Sequence, residues 1–243
     1  MFDINHLMKT PEDESVKIWR YMSLKKFESL LKEQALYFCN SKSFKDNHEG
    51  SYCRKNLHTE VYMDGLGILE NYTDKHRVQN QIYRENVHIN CWHMNEHENM
   101  GMWENYISDE SGVAIQSTYK RYGEAVMDDT RRLVFMGIVQ YKNYEEDSIQ
   151  YDEGLWGPFL TKREEFKYEQ EIRGVYLLSH NKIDDETQTK GGFVSTDVET
   201  LIENVFLYPN ASADFRKIVE NMVKKYGFEL NILDSKLSSE PIF

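Results

Sequence analysis

The stretch Phe166-Lys167-Tyr168-Glu169-Gln170-Glu171-Ile172-Arg173 decides how this chain is read. Side chains of a strand alternate between two faces. As a strand, the stretch puts Phe166, Tyr168 and Ile172 on one face and Lys167, Glu169, Glu171 and Arg173 on the other. It runs directly into the apolar Val175-Tyr176-Leu177-Leu178. Two carboxylates between two cations form either a solvated edge or the floor of a polar cleft. A carboxylate beside Arg173 stays ionised, because a nearby opposite charge lowers its pKa. Such an anion can stabilise an oxocarbenium-like centre or hold a sugar hydroxyl, as glycosyl transfer requires.

Outward from this stretch, strands and helices alternate irregularly. Residues 1–15 read as a polar arm, and residues 16–243 as a single α+β domain. Ile18–Met22 is a strand. Ser23 caps a helix in which Leu24, Phe27, Leu30 and Leu31 recur at helical spacing. Leu36–Cys39 is the next strand, and residues 50–87 are mostly helical by pattern, with Gly65 and Gly67 against it. Strands follow at Val87–Trp92, Gly112–Ser117 and Leu133–Tyr141, with helices at Met100–Tyr106 and 118–127. The tyrosine-rich, acidic segment 143–157 reads as an exposed excursion, 159–165 as a short helix and 180–192 as a surface loop. Near the end, Phe215, Ile218, Val219, Met222 and Val223 form the apolar stripe of a helix stopped by Gly227, and strand Phe228–Leu233 follows. This pattern predicts two mixed or antiparallel sheets forming a cleft with peripheral helices.

At 243 residues the chain can bury a substantial core. Hydrophobic residues at 40% and charged residues at 29% read as soluble and globular, and no apolar run is long enough for a membrane helix. The start, Met1-Phe2-Asp3-Ile4, carries no secretory pattern, which predicts a cytoplasmic protein. Three cysteines fit a reducing compartment. A net charge of −12 argues against bulk binding of duplex DNA, while an exposed base or a protein side chain stays open as a partner.

Other chemistry-bearing residues have plainer readings. His88, Cys91, His93 and His97 are close in sequence, but a strand disperses them, so no metal is expected. Cys39 and Cys91 lack a paired base and read as small buried hydrophobes. In the loop with Asp46, Asn47, His48 and Glu49, Asp46 and Asn47 suit a turn, with a polar ligand rim as the sharper alternative. Trp103 and Tyr106 share a helical face as a packed stripe. There is no glycine-rich phosphate loop.

In order, Trp19-Arg20-Tyr21, Leu36-Tyr37-Phe38, Phe44-Lys45-Asp46-Asn47-x-Glu49, Cys91-Trp92, Met102-Trp103-x-x-Tyr106, Gly112-Val113-Ala114-Ile115 and Tyr168-Glu169-x-Glu171-x-Arg173 resemble the prokaryotic family known as domain of unknown function 2971 (DUF2971). The chain departs from the family pattern at Asn47, where proline is usual, and at Trp92-His93, where Phe-Ser is usual. The layout also resembles the ADP-ribosyltransferase superfamily. That resemblance implies NAD as substrate, with Glu171 on the nicotinamide ribose, Glu169 orienting the acceptor and Tyr21 completing the catalytic set. It implies Arg20, Tyr21, Trp92, His93, Trp103, Tyr106 and Arg173 on the cofactor, and Asp46 and Glu49 on the substrate. It further implies a toxin or phage-defence effector and leaves open an inhibitory partner. Two rival readings are a non-enzymatic module with an aromatic groove of Trp19, Trp92, Trp103 and the tyrosines, and a metal-dependent phosphodiester hydrolase using Asp46, Glu49, Glu169 and Glu171.

Overall fold

The computed structural model describes residues 8–58, 62–63, 67–68, 72–107, 111–126, 133–178 and 190–238. The chain opens with β1 (Lys17–Ser23), α1 (Leu24–Glu33) and β2 (Ala35–Asn40). Then come β3 (Tyr62–Met63), β4 (Gly67–Ile68), α2 (Tyr72–Asn86), β5 (Val87–Met94) and α3 (Met100–Tyr106). The middle holds β6 (Gly112–Thr118), α4 (Tyr119–Ala125), β7 (Phe135–Ile138), β8 (Gln140–Lys142), β9 (Thr161–Arg163) and β10 (Glu171–Leu177). The chain continues with β11 (Gly191–Ser195), α5 (Val198–Leu201), β12 (Asn204–Leu207), α6 (Ala213–Lys225) and β13 (Ile232–Leu233). The class is α+β, as expected. Contacts divide the chain into two compact units. The first takes the described parts of Met1–Thr10, Phe38–Asn90 and Thr130–Gly192; the second takes those of Pro11–Tyr37, Cys91–Asp129 and Phe193–Phe243.

The second unit is built on β1. It pairs antiparallel with β6 over its whole length, from Lys17↔Thr118 to Ser23↔Gly112, and with β5 at Trp19↔His93. Strand β12 adds antiparallel to β6, and β13 adds parallel to β12. All of β6 is buried, which is why Val113-Ala114-Ile115 runs apolar without alternation. Helix α1 buries Phe27, Leu30 and Leu31, the stripe read from their spacing, and ends at Gln34 in the left-handed region (φ 47°). Trp19, Tyr21, Met102, Trp103, Ile107, Ala114 and Phe206 form one apolar cluster. Helix α6 starts where the Ser212 hydroxyl accepts from the Phe215 amide at 3.1 Å and stops before Gly227 (φ 82°). Its inner face is Val219 and Val223; Ile218, expected in the stripe, is half exposed. The strand expected at Phe228–Leu233 shrinks to Ile232–Leu233.

In the first unit β10 lies between β5 and β7, with Arg173↔Gly137 and Val175↔Phe135 in antiparallel register. Cys39↔Ile89 and Asn40↔His88 join β2 to β5. Several sequence expectations change here. Phe166–Arg173 is not one strand: Glu164–Glu169 is a 3-10 turn, Gln170 is left-handed (φ 41°), and β10 begins only at Glu171. Alternation therefore governs Glu171 and Arg173 but not Glu169, and Tyr168 is exposed. The segment 143–157 is no exposed excursion, since Tyr144, Ile149 and Trp156 are buried in it. The helix expected at 159–165 is replaced by β9, which runs parallel to β8. Leu133–Tyr141 splits into β7 and β8: the Val139 amide still bonds the Glu171 carbonyl at 3.0 Å, whereas the Gln140 amide turns to the Leu160 carbonyl at 2.8 Å and the chain pairs with β9. Within 50–87 only Tyr72–Asn86 is α-helical; Arg54–His58 is 3-10. Met8, in the expected polar arm, is buried, and residues 1–7 lie outside the described residues, as does most of 180–192.

Gly50 ends the loop that carries Glu49. Its φ is +68°, and a Cβ there would sit 2.5 Å from Phe159 Cε1. Both the backbone region and the space demand glycine. Gly50→Ala is expected to lower stability by at least about 1 kcal/mol, read as a fall in the urea midpoint at unchanged slope.

Candidate functional site: a buried carboxyl cluster

The polar heart of the first unit is assembled from four local pieces. Strand β10 supplies Glu171 and Arg173 on one face, two residues apart. Strand β9 supplies Lys162, the turn before β10 supplies Glu169, and the loop before Gly50 supplies Glu49. Arg173 is fully buried. Its Nε donates to Glu171 Oε2 at 2.5 Å, and its Nη1 and Nη2 donate to Glu49 Oε1 and Oε2 at 2.5 and 3.1 Å. Nη1 also donates to the Phe159 carbonyl at 2.7 Å. Lys162 donates to Glu171 Oε1 at 3.1 Å and to Glu169 Oε2. The Tyr141 hydroxyl accepts from the Glu171 amide at 2.8 Å.

Three carboxyls thus face two cations. Were all five ionised, the enclosed group would carry one uncompensated negative charge, which a low-dielectric interior disfavours. The electrostatics resolve this by splitting the pair. Burial pushes Glu171 up, but Arg173 and Lys162 outweigh it and hold its carboxyl down at about 2. Burial, together with the hydrogen bond to Glu171 and that residue's charge, pushes Glu169 up to about 7 against the pull of Lys162. Burial also lifts Glu49 despite its two bonds to Arg173. Side-chain exposure is 12% for Glu169 and 4% for Glu171, so Glu169 is the more accessible of the two. Two carboxyls with values driven apart are how one site keeps a fixed anion beside a group that exchanges a proton near neutrality.

The other sequence-derived site residues fall as follows. Asp46 accepts from Arg163 Nη2 at 3.2 Å and caps the His48 amide at 3.0 Å, the turn role expected of it, in the same unit as the cluster. Arg20, Tyr21, Trp92, His93, Trp103 and Tyr106 belong to the second unit. Tyr21 is buried, edge-on to Trp103 at 4.9 Å, and its hydroxyl accepts from the Asn99 amide at 2.8 Å. Trp103 donates from Nε1 to Glu98 at 3.1 Å, Trp92 and His93 are buried, and Tyr106 is half exposed. Among the described residues no cluster of His, Cys, Asp and Glu is arranged to hold a metal ion. No helix among them is long and apolar enough to cross a membrane.

Sequence reasoning missed Lys162, which bridges both glutamates, and Tyr141. The excess of acid from Glu164 to Glu171 called for a neighbouring cation, but reading 159–165 as a helix hid which one.

No protein-family model matches the sequence, and no curated protein matches it. Among solved structures, Thermus sp. 2.9 DarT in complex with NAD+ is similar at 10% identity over 93% of this chain and 98% of that one, with a TM-score of 0.43. The same protein in complex with ADP-ribosylated ssDNA is similar at 12% identity over 94% and 98%, with a TM-score of 0.41. Likeness at this level carries no chemistry across.

Arg173→Met leaves Glu49 and Glu171 without their shared partner and is expected to cost about 3–5 kcal/mol of stability, measured by chemical unfolding. The carboxyl pair also has a pH signature. Glu169 is raised above its ordinary 4.5, so between 4.5 and about 7 the folded protein holds a proton that the unfolded chain has released. Its contribution is full below 4.5 and is lost as pH rises through about 7. Glu171, depressed to about 2, contributes above 4.5 and loses that contribution as pH falls towards 2. Unfolding midpoints of Glu169→Gln should therefore fall less than wild type across the interval from 4.5 to about 7.

Proposed function

We propose that the chain is an ADP-ribosyltransferase-type enzyme that cleaves the N-glycosidic bond of NAD and passes ADP-ribose to a macromolecule or to water. The observation that carries this reading is the carboxyl pair Glu169–Glu171, one carboxyl locked as an anion and the other exchanging its proton near neutrality. Departure of nicotinamide leaves positive charge on the ribose. When Glu169 gives up its proton, the cluster gains the one negative charge that its two cations leave uncompensated. That charge appears on the more accessible carboxyl, where it favours the cationic ribose and can take a proton from an attacking hydroxyl. Glu171, bound on both oxygens, acts by fixing Lys162 and raising Glu169. Arg173 and Glu49 act as positioning residues behind it.

Membership of DUF2971 rests on the order of the sequence motifs, and a role as a toxin or phage-defence effector on the resemblance to ADP-ribosyltransferases. The cofactor assignments to Arg20, Tyr21, Trp92, His93, Trp103 and Tyr106 rest on the same resemblance, so the reading stands on the carboxyls alone. One observation favours the binding-module alternative: in the second unit Tyr37 and Phe193 meet edge-on at 5.3 Å while staying 38% and 44% exposed. The hydrolase reading is disfavoured by chemistry, because Asp46, Glu49, Glu169 and Glu171 each already face a lysine or arginine.

Nicotinamide release from NAD by the purified chain, with and without protein and single-stranded nucleic-acid acceptors, tests the proposal. Glu169→Gln should lower the rate by at least about 100-fold while keeping a cooperative unfolding transition. Glu171→Gln should do the same, at some cost in stability. Wild type that consumes no NAD with any acceptor, or Glu169→Gln with full activity, overturns the reading.

A further inference from the structure

Strand β7 parts from β10 at Val139, and a side chain takes over the bond left open. In the antiparallel ladder Ile138 faces Ile172, so Val139 comes opposite Glu171. A hydrogen-bonded pair in such a ladder exchanges both N–H···O bonds. Here the exchange is one-sided. The Val139 amide donates to the Glu171 carbonyl at 3.0 Å, while the Glu171 amide donates to the Tyr141 hydroxyl at 2.8 Å. Strand β8 then runs parallel to β9 with Tyr141 opposite Lys162. Opposed residues send their side chains to the same face, so Tyr141 and Lys162 enter the carboxyl cluster side by side.

This contact leaves the phenol with a proton to give. A hydroxyl has one donor and two lone pairs, and the Glu171 amide takes up a lone pair. Among the described residues no acceptor takes the hydroxyl proton. The charged and titratable groups facing the hydroxyl are Glu171, Arg173 and Glu169. Arg173 only donates. Both oxygens of Glu171 already hold a cation, Lys162 on Oε1 and Arg173 on Oε2. Glu169 is the acceptor that remains.

We propose that Tyr141 is a positioning residue for Glu169: anchored on the Glu171 amide, its hydroxyl donates to the Glu169 carboxylate when that group is ionised. The phenol keeps its own proton meanwhile, because burial, reinforced by the charge of Glu171, pushes its pKa up. Besides burial, Glu169 feels Glu171 from β10, which opposes its anion, and Lys162 from β9, which favours it. Arg173 and Glu49 act from behind Glu171. A donor from β8 adds to the favourable side, since hydrogen bonds to a charged acceptor are the stronger ones. The amide bond also fixes where the phenol stands. It ties the ring to the residue directly after the left-handed Gln170, the bend that sets Glu169 apart from Glu171. The effect on catalysis rests on the glycosyl-transfer reading; the effect on the titration of Glu169 does not.

Urea unfolding midpoints of wild type, Tyr141→Phe, Glu169→Gln and the double variant, followed from pH 4.5 upwards, test the contact. Wild type loses the Glu169 contribution as pH rises through about 7. Without the phenol donor the carboxyl keeps its proton longer, so in Tyr141→Phe that loss should move up by about one pH unit. In the Glu169→Gln background the same substitution should lower the midpoint evenly and displace nothing, which separates the lost amide bond from the lost donor. Nicotinamide release gives a second readout. Tyr141→Phe should lower kcat most near neutrality and recover as the pH is raised, with the KM for NAD unchanged. A loss that is even at every pH, in midpoint and in rate alike, makes Tyr141 a structural prop and overturns the proposal. So does a displacement that persists without Glu169, or a Tyr141→Phe chain with no cooperative unfolding transition. Wild type that releases no nicotinamide while the displacement is present refutes glycosyl transfer and leaves the contact supported; turnover without the displacement refutes the contact alone.

Discussion

The first unit depends on the burial of one guanidinium. Arg173 has no access to solvent, and its bonds reach three separate parts of the chain: Glu171 within its own strand, Glu49 in the loop before Gly50, and the Phe159 carbonyl at the end of a 3-10 segment. A buried arginine left short of acceptors would be strongly destabilising. The loop and the 3-10 segment are therefore held wherever the guanidinium points, and apolar packing of Tyr144 and Ile149 around Cys53 fills the space beside them. Gly50 is the steric counterpart of the same arrangement, since the loop reaches Arg173 only by passing within contact of the Phe159 ring.

Charge balance then shapes the chemistry. Two cations satisfy two carboxylates, and a third carboxyl in the same enclosure must keep its proton or leave. Glu169 keeps it because it enters from a turn rather than from the strand. It reaches Lys162 from the rim, whereas Glu171 is gripped on both oxygens from below. Had residues 166–173 formed one strand, Glu169 would have stood in line with Glu171 and Arg173 on the same face. The left-handed Gln170 breaks that line and separates the two acids into different environments.

The sequence made some of this legible and hid the rest for physical reasons. Helix α1 and strands β1, β2 and β6 read directly from apolar spacing, because their burial is set by near neighbours in the chain. Glu171 and Arg173 were visible as a pair for the same reason: a separation of two residues is a property of any strand. The 3-10 turn at Glu164–Glu169 was not visible, since Phe166, Tyr168 and Ile172 imitate a period of two while Tyr168 faces solvent. Lys162 and Glu49 could not be recognised as partners, because what joins them to β10 is long-range ion pairing, and charge pairing leaves no period. The buried tyrosine-rich segment misled in the same way: its acids and glycines look like surface, but Tyr144 spends its polarity on the Thr161 carbonyl at 3.2 Å and buries the ring.

The two arginines that the resemblance puts on the cofactor are opposites. Arg173 is enclosed and saturated, so its charge is spent on architecture, and any catalytic effect it has is exerted through Glu171 and Glu169. Arg20 sits on a strand of the second unit, over an indole, with a single hydrogen bond to a backbone carbonyl. Fold stability asks little of such a residue: an indole floor holds a guanidinium in place but does not neutralise it. Among the described residues Arg20 shares with Arg84 and Arg121 the lack of a carboxylate partner, and each of the three donates to backbone carbonyls instead.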